Sequence, residues 1–296
     1  MNRPPLTVYS DLGAEYRPER VWAEGSAIAL IIAHFLSGAG AGAWLLGLIL
    51  DQRLVSLLGL IAVVLGGAVH LAFLGHPERA WKMMRRPQSS WISRGLWSMA
   101  VFVPTAALYM AGVYGAWSST SAFSYLMLVL SLIGMGGIFL YKGFVYSASR
   151  AVPLWHSPLL PVSYIAIGIR GGAALAFVGL AFVSSDSAFA AAQTWWLATT
   201  GAAVFLFLLE LESSRNDPTL RHSLGVIWSG ALGWVFFAGV VVVGVLVPLT
   251  LVVAGYAVTI GQAGLLVAGI TSLAGDLAYK YCVNTAGTYV PLVRIR

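Results

Sequence analysis

Ionisable side chains lie inside several long apolar segments of this sequence. His34, His70, Arg170 and Asp276 are the clearest cases, and Tyr141 stands at the end of another such segment. An ionisable residue in an apolar membrane segment is costly, and it marks a functional site by default. Histidine exchanges protons near neutral pH, a tyrosine hydroxyl donates a hydrogen bond, and a guanidinium is a fixed positive charge. Together these side chains suggest a pocket or half-channel that opens near one membrane surface.

Structural roles are the alternative for each of these residues. A hydrogen bond to a backbone carbonyl would account for His34, and an ion pair with Lys280 four residues later would account for Asp276. Arg170 is the hardest to explain in this way, because an unpaired guanidinium is costly in a membrane. Asp276 and Glu210 are its candidate partners.

Bound metal groups are not expected in this chain. His34 and His70 could ligate a haem only at similar depth, but the helix rise places them roughly 8 Å apart in depth. The other three of the five histidines lie in predicted loops. The single cysteine, Cys282, excludes an intrachain disulfide and a cysteine-ligated iron–sulfur cluster. No phosphate-binding loop or nucleophile motif is present, so we do not expect the chain alone to catalyse bond-making chemistry.

The composition indicates the elements that hold these residues. Hydrophobic residues make up 59% of the 296 residues and charged residues only 9%, against roughly 25% charged residues in soluble proteins. Apolar runs of about 20 residues, the length that crosses a bilayer, predict an all-α integral membrane protein with one domain, residues 1–296, after a polar tail of residues 1–23. The eight predicted transmembrane helices are Glu24–Leu50, Leu54–Leu74, Gly95–Trp117, Ala122–Tyr141, Ser157–Val183, Ala190–Leu211, Ser223–Val247 and Ala254–Tyr281.

Basic residues predict the orientation of these helices. Fifteen of the 17 lysines and arginines fall on the side of the two termini, Arg53 falls on the opposite side and Arg170 lies within a span. Because short cytoplasmic loops are rich in Lys and Arg, we expect both termini in the cytoplasm and the protein in the bacterial or archaeal cytoplasmic membrane. This asymmetry also explains the net charge of +6, so we do not expect a nucleic-acid partner. The basic loops could face anionic lipids or a partner subunit.

Loop motifs add a resemblance to a known family. The second predicted span is followed by Leu74-Gly-His-Pro-Glu-Arg-Ala-Trp81 and by Arg86-Pro-Gln-Ser-Ser-Trp-Ile-Ser-Arg-Gly95. The fourth ends in Tyr141-Lys-Gly-Phe and is followed by Ser149-Arg-Ala-Val-Pro-Leu-Trp-His-Ser-Pro-Leu-Leu-Pro161. These stretches resemble the NrfD/polysulfide reductase (PsrC-like) membrane-subunit family, and the match covers most of the chain in span order.

The resemblance implies a fold, a cofactor and site residues. It implies two four-helix bundles and a quinone pocket that uses a first-span histidine, matched by His34, and the span-four tyrosine, matched by Tyr141. Three positions depart from the family: His76 replaces the usual Arg, Lys142 stands where Thr is common, and Arg170 stands where small polar residues are frequent. The expected cofactor-binding residues are His34, His70, Glu78, Arg79, Tyr141, Arg170 and Asp276.

The resemblance also implies partners. Electrons would pass between membrane quinone and an iron–sulfur subunit, which serves a molybdenum or tungsten bis-pterin catalytic subunit. The docking loops, Gly75–Gly95 and Tyr146–Ser157, lie on the basic side, so we expect these partners in the cytoplasm. Substrate oxidation that feeds the quinone pool would suit this arrangement, in the style of phenylacetyl-CoA:acceptor oxidoreductase or, with slightly less preference, a cytoplasmic sulfite dehydrogenase.

Two other functions compete with a redox subunit. Buried charges and spans interrupted by Gly and Pro also occur in secondary transporters, although the two halves of this sequence show no obvious inverted repeat. A purely structural anchor, in which buried polar groups only pack helices, is the third possibility.

Overall fold

Long helices form most of the protein in a computed structural model, which describes residues 16–22, 24–183 and 185–291. The α-helices are α1 Ile28–Ile49, α2 Arg53–Phe73, α3 Trp91–Val113, α4 Ala122–Ser147, α5 Pro153–His156, α6 Leu159–Leu180, α7 Asp186–Ser213, α8 Pro218–Trp228, α9 Val247–Ala254 and α10 Gln262–Thr285. A π-helix, Val235–Leu246, runs directly into α9, and 3₁₀ helices cover Gly25–Ala27, Pro77–Arg85 and Ser214–Asn216. The expectation of a mostly helical membrane protein is confirmed.

Seven helices within the described ranges are long and apolar enough to cross a membrane. They are α1 with the 3₁₀ turn before it, α2, α3, α4, α6, α7 with the 3₁₀ turn after it, and the π-helix joined to α9. Helix α10 has 24 residues but is more polar, because it contains Asp276, Lys280 and Asn284. Length therefore agrees with an eighth span, whereas composition sets α10 apart from the other seven.

The predicted span Ser223–Val247 is wrong. Helix α8 ends at Trp228, and the backbone turns between residues 229 and 232 before the π-helix begins at Val235. Gly230 lies in this turn and Gly233 directly follows it, and glycine disfavours a continuous helix because its backbone loses the most freedom on ordering. Pro248, which directly follows the predicted end of this span at Val247, lies in the first turn of α9, where its missing N–H is tolerated. The helix ends instead at Ala254, just before Gly255.

Close glycine contacts place α1 and α6 at the centre of the molecule. A Cβ atom at Gly42 of α1 would overlap the backbone of Gly168 in α6, and one at Gly172 would overlap Gly42. Small residues let helix backbones approach in this way inside a membrane. The outer faces of the other helices expose large apolar side chains such as Ile133, Phe205 and Val242, as expected for contact with lipid.

A short clasp joins the two ends of the described residues. Strand β1, Arg17–Pro18, pairs antiparallel with β2, Thr288–Tyr289, and the Tyr289 hydroxyl donates to the carboxylate of Glu19. Residues 16–22 of the predicted tail are therefore bound to the helices rather than free. Residues 1–15 and 23, together with Arg294 and Arg296 of the predicted basic C-terminus, lie outside the described residues.

Candidate functional site

An apolar cavity of about 400 Å³ lies at the membrane end where α1 begins and α2 ends. Its walls come from α1, α2, α3, α4 and the 3₁₀ helix Pro77–Arg85, and the N-terminal segment adds Val21 and Trp22. Leucine, isoleucine, methionine and phenylalanine make up much of the lining, and the ionisable lining side chains are His34, His70 and Tyr141. Pockets of this size and character hold small organic molecules, with a few polar groups that fix their orientation.

The three polar residues converge from three helices. The ring centroids of His34 on α1 and His70 on α2 lie 5.0 Å apart, and those of His34 and Tyr141 on α4 lie 5.9 Å apart. The predicted difference in depth between the two histidines is therefore wrong. That estimate counted the depth of His34 from Glu24, whereas α1 begins at Ile28, so His34 lies nearer the end of its helix than expected.

Hydrogen bonds fix both imidazole rings. Nδ1 of His34 shares a hydrogen bond of 3.1 Å with the hydroxyl of Tyr146, and Nδ1 of His70 donates to the carbonyl oxygen of Gly66 at 3.0 Å. A carbonyl oxygen only accepts hydrogen bonds, so Nδ1 of His70 carries a hydrogen and Nε2 is the atom able to exchange a proton. The site thus offers two oriented imidazoles and one phenol to a ligand in the cavity.

The first loop motif positions α3 against Tyr141. Gly95 lies so close to the ring of Tyr141 that a Cβ atom there would overlap it. Arg94 donates to the carbonyl oxygens of Pro87 and Gln88, each at 2.7 Å, and its guanidinium lies 4.3 Å from the Trp91 ring centroid. The Ser-Arg-Gly motif therefore ties the loop to α3 and makes room for the tyrosine.

The second loop motif packs the end of the protein that holds the cavity against helices α7 and α10. Trp155 is buried and donates from Nε1 to the carbonyl oxygen of Val283 at 3.1 Å, and Ser157 donates to the carboxylate of Glu210 at 2.7 Å. Tyr146, the first residue of the predicted docking loop Tyr146–Ser157, is fully buried. Much of that segment is therefore core, and the prediction that it forms a docking loop is corrected to this extent.

Arg170 and Asp276 form a buried ion pair away from the cavity. The guanidinium also donates to Thr200 Oγ1 at 2.8 Å and to the carbonyl oxygen of Gly244. Gly244 is four residues before Pro248, which has no N–H to offer that carbonyl in an α-helical register. Contacts to α7, α10 and the π-helix thus satisfy the guanidinium of α6, and Glu210 is not its partner.

Glu78 and Arg79 lie outside the cavity lining. Their side chains are 64% and 61% exposed, and Glu78 contacts His76 at 3.0 Å and Arg79 at 3.7 Å. Their neighbours Ala80 and Met83 line the cavity instead. The structure therefore brings together three of the expected cofactor-binding residues, His34, His70 and Tyr141, and places the other four elsewhere.

Several buried polar residues behind His34 were not predicted. Lys142 and Lys280 were counted with the cytoplasmic surface, but each is only 2% exposed. They fell near the ends of predicted spans, where the positive-inside pattern assigns charges to loops. The helices run one turn further than predicted, and α4 and α10 carry both lysines inward. Tyr146, Tyr164 and Asn284 complete this group, and Tyr146 and Asn284 lie beyond the predicted ends of their spans at Tyr141 and Tyr281.

Known proteins share this sequence pattern across most of its length. A family model described as "Polysulphide reductase, NrfD" matches residues 19–291. The C component of polysulfide reductase from Wolinella succinogenes is 22% identical over 286 residues, 89% of each protein, and protein NrfD of Escherichia coli is 25% identical over 258 residues, 76% of this protein and 77% of the relative. The C component of sulfite dehydrogenase from Allochromatium vinosum is 25% identical over 180 residues, and that match spans 56% of this protein and about half, 53%, of the relative.

Proposed function

The chain belongs to the NrfD/polysulfide reductase family, and on this premise we propose that it is the quinone-binding membrane subunit of an oxidoreductase complex. It exchanges electrons between membrane quinone and an iron–sulfur partner, which serves a catalytic subunit with molybdenum or tungsten. The observation that carries the proposal is the apolar cavity whose ionisable lining residues, His34, His70 and Tyr141, converge at one point. Family membership favours this redox role over a secondary transporter.

The cavity suits a quinone headgroup. A bound quinone supplies two carbonyl oxygens that take up electrons and protons, and its tail is apolar. His34 and Tyr141 would contact one oxygen, and His70 would hold a proton near it at Nε2. The apolar walls from α2 and α3 accommodate the start of the tail and exclude water from the headgroup. Arg170 and Asp276 keep the surrounding helices in place rather than touching the quinone.

The membrane arrangement is also part of the proposal. Helix α10 is the eighth span, its polar residues shielded from lipid by α6 and the π-helix. The eight spans form two four-helix bundles, with both termini and the cavity end on the cytoplasmic side of the inner membrane. The exposed basic residues Arg79, Lys82 and Arg85 on the 3₁₀ helix support this orientation.

Partner docking is proposed on that same face. The 3₁₀ helix Pro77–Arg85 forms one wall of the cavity and exposes Trp81, whose ring lies 4.4 Å from the guanidinium of Arg85. An iron–sulfur subunit seated here would bring its cluster close to the quinone. Oxidation of a cytoplasmic substrate would then reduce the quinone.

The test removes single polar groups from the cavity. His34→Ala and Tyr141→Phe should lower quinone-coupled turnover of the purified complex by about 100-fold, with dye-linked activity of the catalytic subunit unchanged. Tyr125→Phe is the matched control, because Tyr125 is 56% exposed on the outer face of α4. Normal quinone kinetics in both cavity variants would reject the site.

A further inference from the structure

Two buried lysines lie behind the cavity, and the proposed quinone site does not use them. Lys142 on α4 and Lys280 on α10 are each 2% exposed and interact electrostatically with one another. Within the described part of the chain, Nζ of Lys142 has no hydrogen-bond partner. Burying a charged group without a partner is costly, so this pair calls for an explanation.

The packing around Lys142 depends on a glycine. A Cβ atom at Gly38 of α1 would lie 3.1 Å from Nζ of Lys142 and 3.9 Å from the Cα atom of Gly168. The ammonium group therefore sits in the seam between α1, α4 and α6, where the absence of a side chain leaves room for it. This position is one helical turn from His34 on α1.

Lys280 is held by an aromatic ring. Its Nζ lies 3.7 Å from the ring centroid of Tyr164, and the Tyr164 hydroxyl accepts from Nδ2 of Asn284 at 3.3 Å. Asp276, one helical turn earlier, interacts electrostatically with Lys280 but is already bound to Arg170. Arg170 and Lys280 therefore share one carboxylate.

A line of polar side chains connects Lys280, whose Nζ lies over the Tyr164 ring, to the cavity. The ring centroids of Tyr164 and Tyr146 lie 5.7 Å apart, and the Tyr146 hydroxyl bonds to Nδ1 of His34 at 3.1 Å. His34 in turn lines the cavity. Other titratable and charged groups face this line from the packed helices: His70 and Tyr141 lie beside His34, Arg170 and Asp276 lie near Lys280, and Tyr279 interacts with Tyr164.

We propose that Lys142 and Lys280 form an internal proton store for the quinone site, connected to His34 through Tyr146 and Tyr164. The proposal rests on the proposed function. Two like charges are mutually unfavourable in a low-dielectric interior, and the carboxylate of Asp276 is already bound to Arg170, so a proton of the lysine pair is readily given up. A bound quinone would supply the accepting carbonyl oxygen and would take its electrons from the iron–sulfur partner. An N–H bond of a lysine would break as a proton passes through the Tyr164 and Tyr146 hydroxyls to Nδ1 of His34. The N–H bond at Nε2 of His34 would break as an O–H bond forms at that oxygen, and cytoplasmic water would return a proton to the lysine.

The test distinguishes lysines that transfer a proton from lysines that act only as fixed positive charges. Lys280→Arg keeps a positive charge over the Tyr164 ring, but a guanidinium does not release its proton in proteins. In the purified complex, Lys280→Arg, Lys280→Met and Lys142→Met should each lower the quinone-coupled kcat by about 100-fold and raise the solvent deuterium isotope effect. The KM for quinone and the dye-linked activity should remain at wild-type values. Arg53→Met, which removes an exposed basic residue at the start of α2, far from the cavity end, is the control.

The outcomes are distinct. A wild-type kcat in Lys280→Arg would show that a fixed positive charge is sufficient at this position, and it would overturn the proposal. A raised KM for quinone with an unchanged kcat in the Met variants would also overturn it. If a Met variant does not assemble, Lys280→Arg still decides between these results. Loss of quinone turnover in His34→Ala with normal turnover in all three lysine variants would leave the quinone site intact and reject only the proton store.

Discussion

Gly95 on α3 lies directly against the ring of Tyr141 on α4, with no space for a Cβ atom between them. The tyrosine is nearly fully buried by this contact. Gly95→Ala would therefore displace the phenol without removing any polar group. We expect quinone-coupled turnover to fall by about 100-fold if the hydroxyl shifts by 1 Å, as measured in the purified complex.

Gly136→Ala provides the control for this substitution. Gly136 lies on the same helix as Tyr141, and a Cβ atom there would meet nothing within 4 Å. Turnover of this variant should match the wild type. Equal rates for Gly95→Ala and Gly136→Ala would show that the position of the phenol is not important for turnover.

The buried pair of Arg170 and Asp276 should dominate the stability of the second half of the protein. Arg170→Met leaves an unpaired carboxylate, so we expect a loss of about 3–5 kcal/mol in the free energy of unfolding. In Arg170→Met/Asp276→Leu neither charge remains, and much of this loss should be recovered. Thermal melting of the detergent-solubilised protein measures both effects.

An exposed pair gives the comparison for that experiment. Arg215 and Glu212 are 3.0 Å apart, with side chains 74% and 62% exposed. Arg215→Met should change the free energy of unfolding by at most about 1 kcal/mol. A double variant at the buried pair that is no more stable than Arg170→Met would contradict the assignment of the loss to an unpaired charge.

Membrane orientation is tested with reporter fusions. A reporter that is active only in the periplasm should be inactive when fused after Arg296, because both termini are expected in the cytoplasm. The same reporter fused after Trp117, between α3 and α4, should be active. Comparable activity of the two fusions would overturn the assigned orientation.

The compartment of the partner subunits gives a further prediction. The catalytic subunit that copurifies with this protein should lack a twin-arginine export signal and resist protease added from the periplasmic side. Sulfite and phenylacetyl-CoA are the substrates to supply first to the purified complex with a quinone analogue as acceptor. A catalytic subunit that carries the signal and is cut from the periplasmic side would reject a cytoplasmic reaction.

Much of the fold was predictable because bilayer thickness sets the length of each apolar run. The helices up to α7 follow the predicted spans to within several residues at most of their ends. The turn around Gly230 was missed, since it divides one continuous apolar run, and hydropathy does not report on a turn inside such a run. Pro248 was misassigned because a proline at the start of an α-helix and one that ends a helix look alike in sequence.

The candidate site was predictable in part because the membrane makes buried ionisable groups costly. That cost identifies His34 and Arg170, since neither is expected inside a membrane span without a role. Lys142 and Lys280 escaped this argument because lysines near predicted span ends normally reach the interface. Only the side-chain packing around Gly38 and Tyr164 shows that both lysines turn inward.

The clasp between β1 and β2 bears on how the protein is made. Trp22 closes one side of the cavity, and the segment that carries it is held by Thr288 and Tyr289. Ribosomes synthesise these two residues after every described helix has been completed. A nascent polypeptide therefore has all its helices in the membrane before the cavity has its last wall. Polypeptides that stop before residue 288 would enter the membrane yet lack this wall. Insertion into the membrane and the ability to hold a ligand are therefore separate steps.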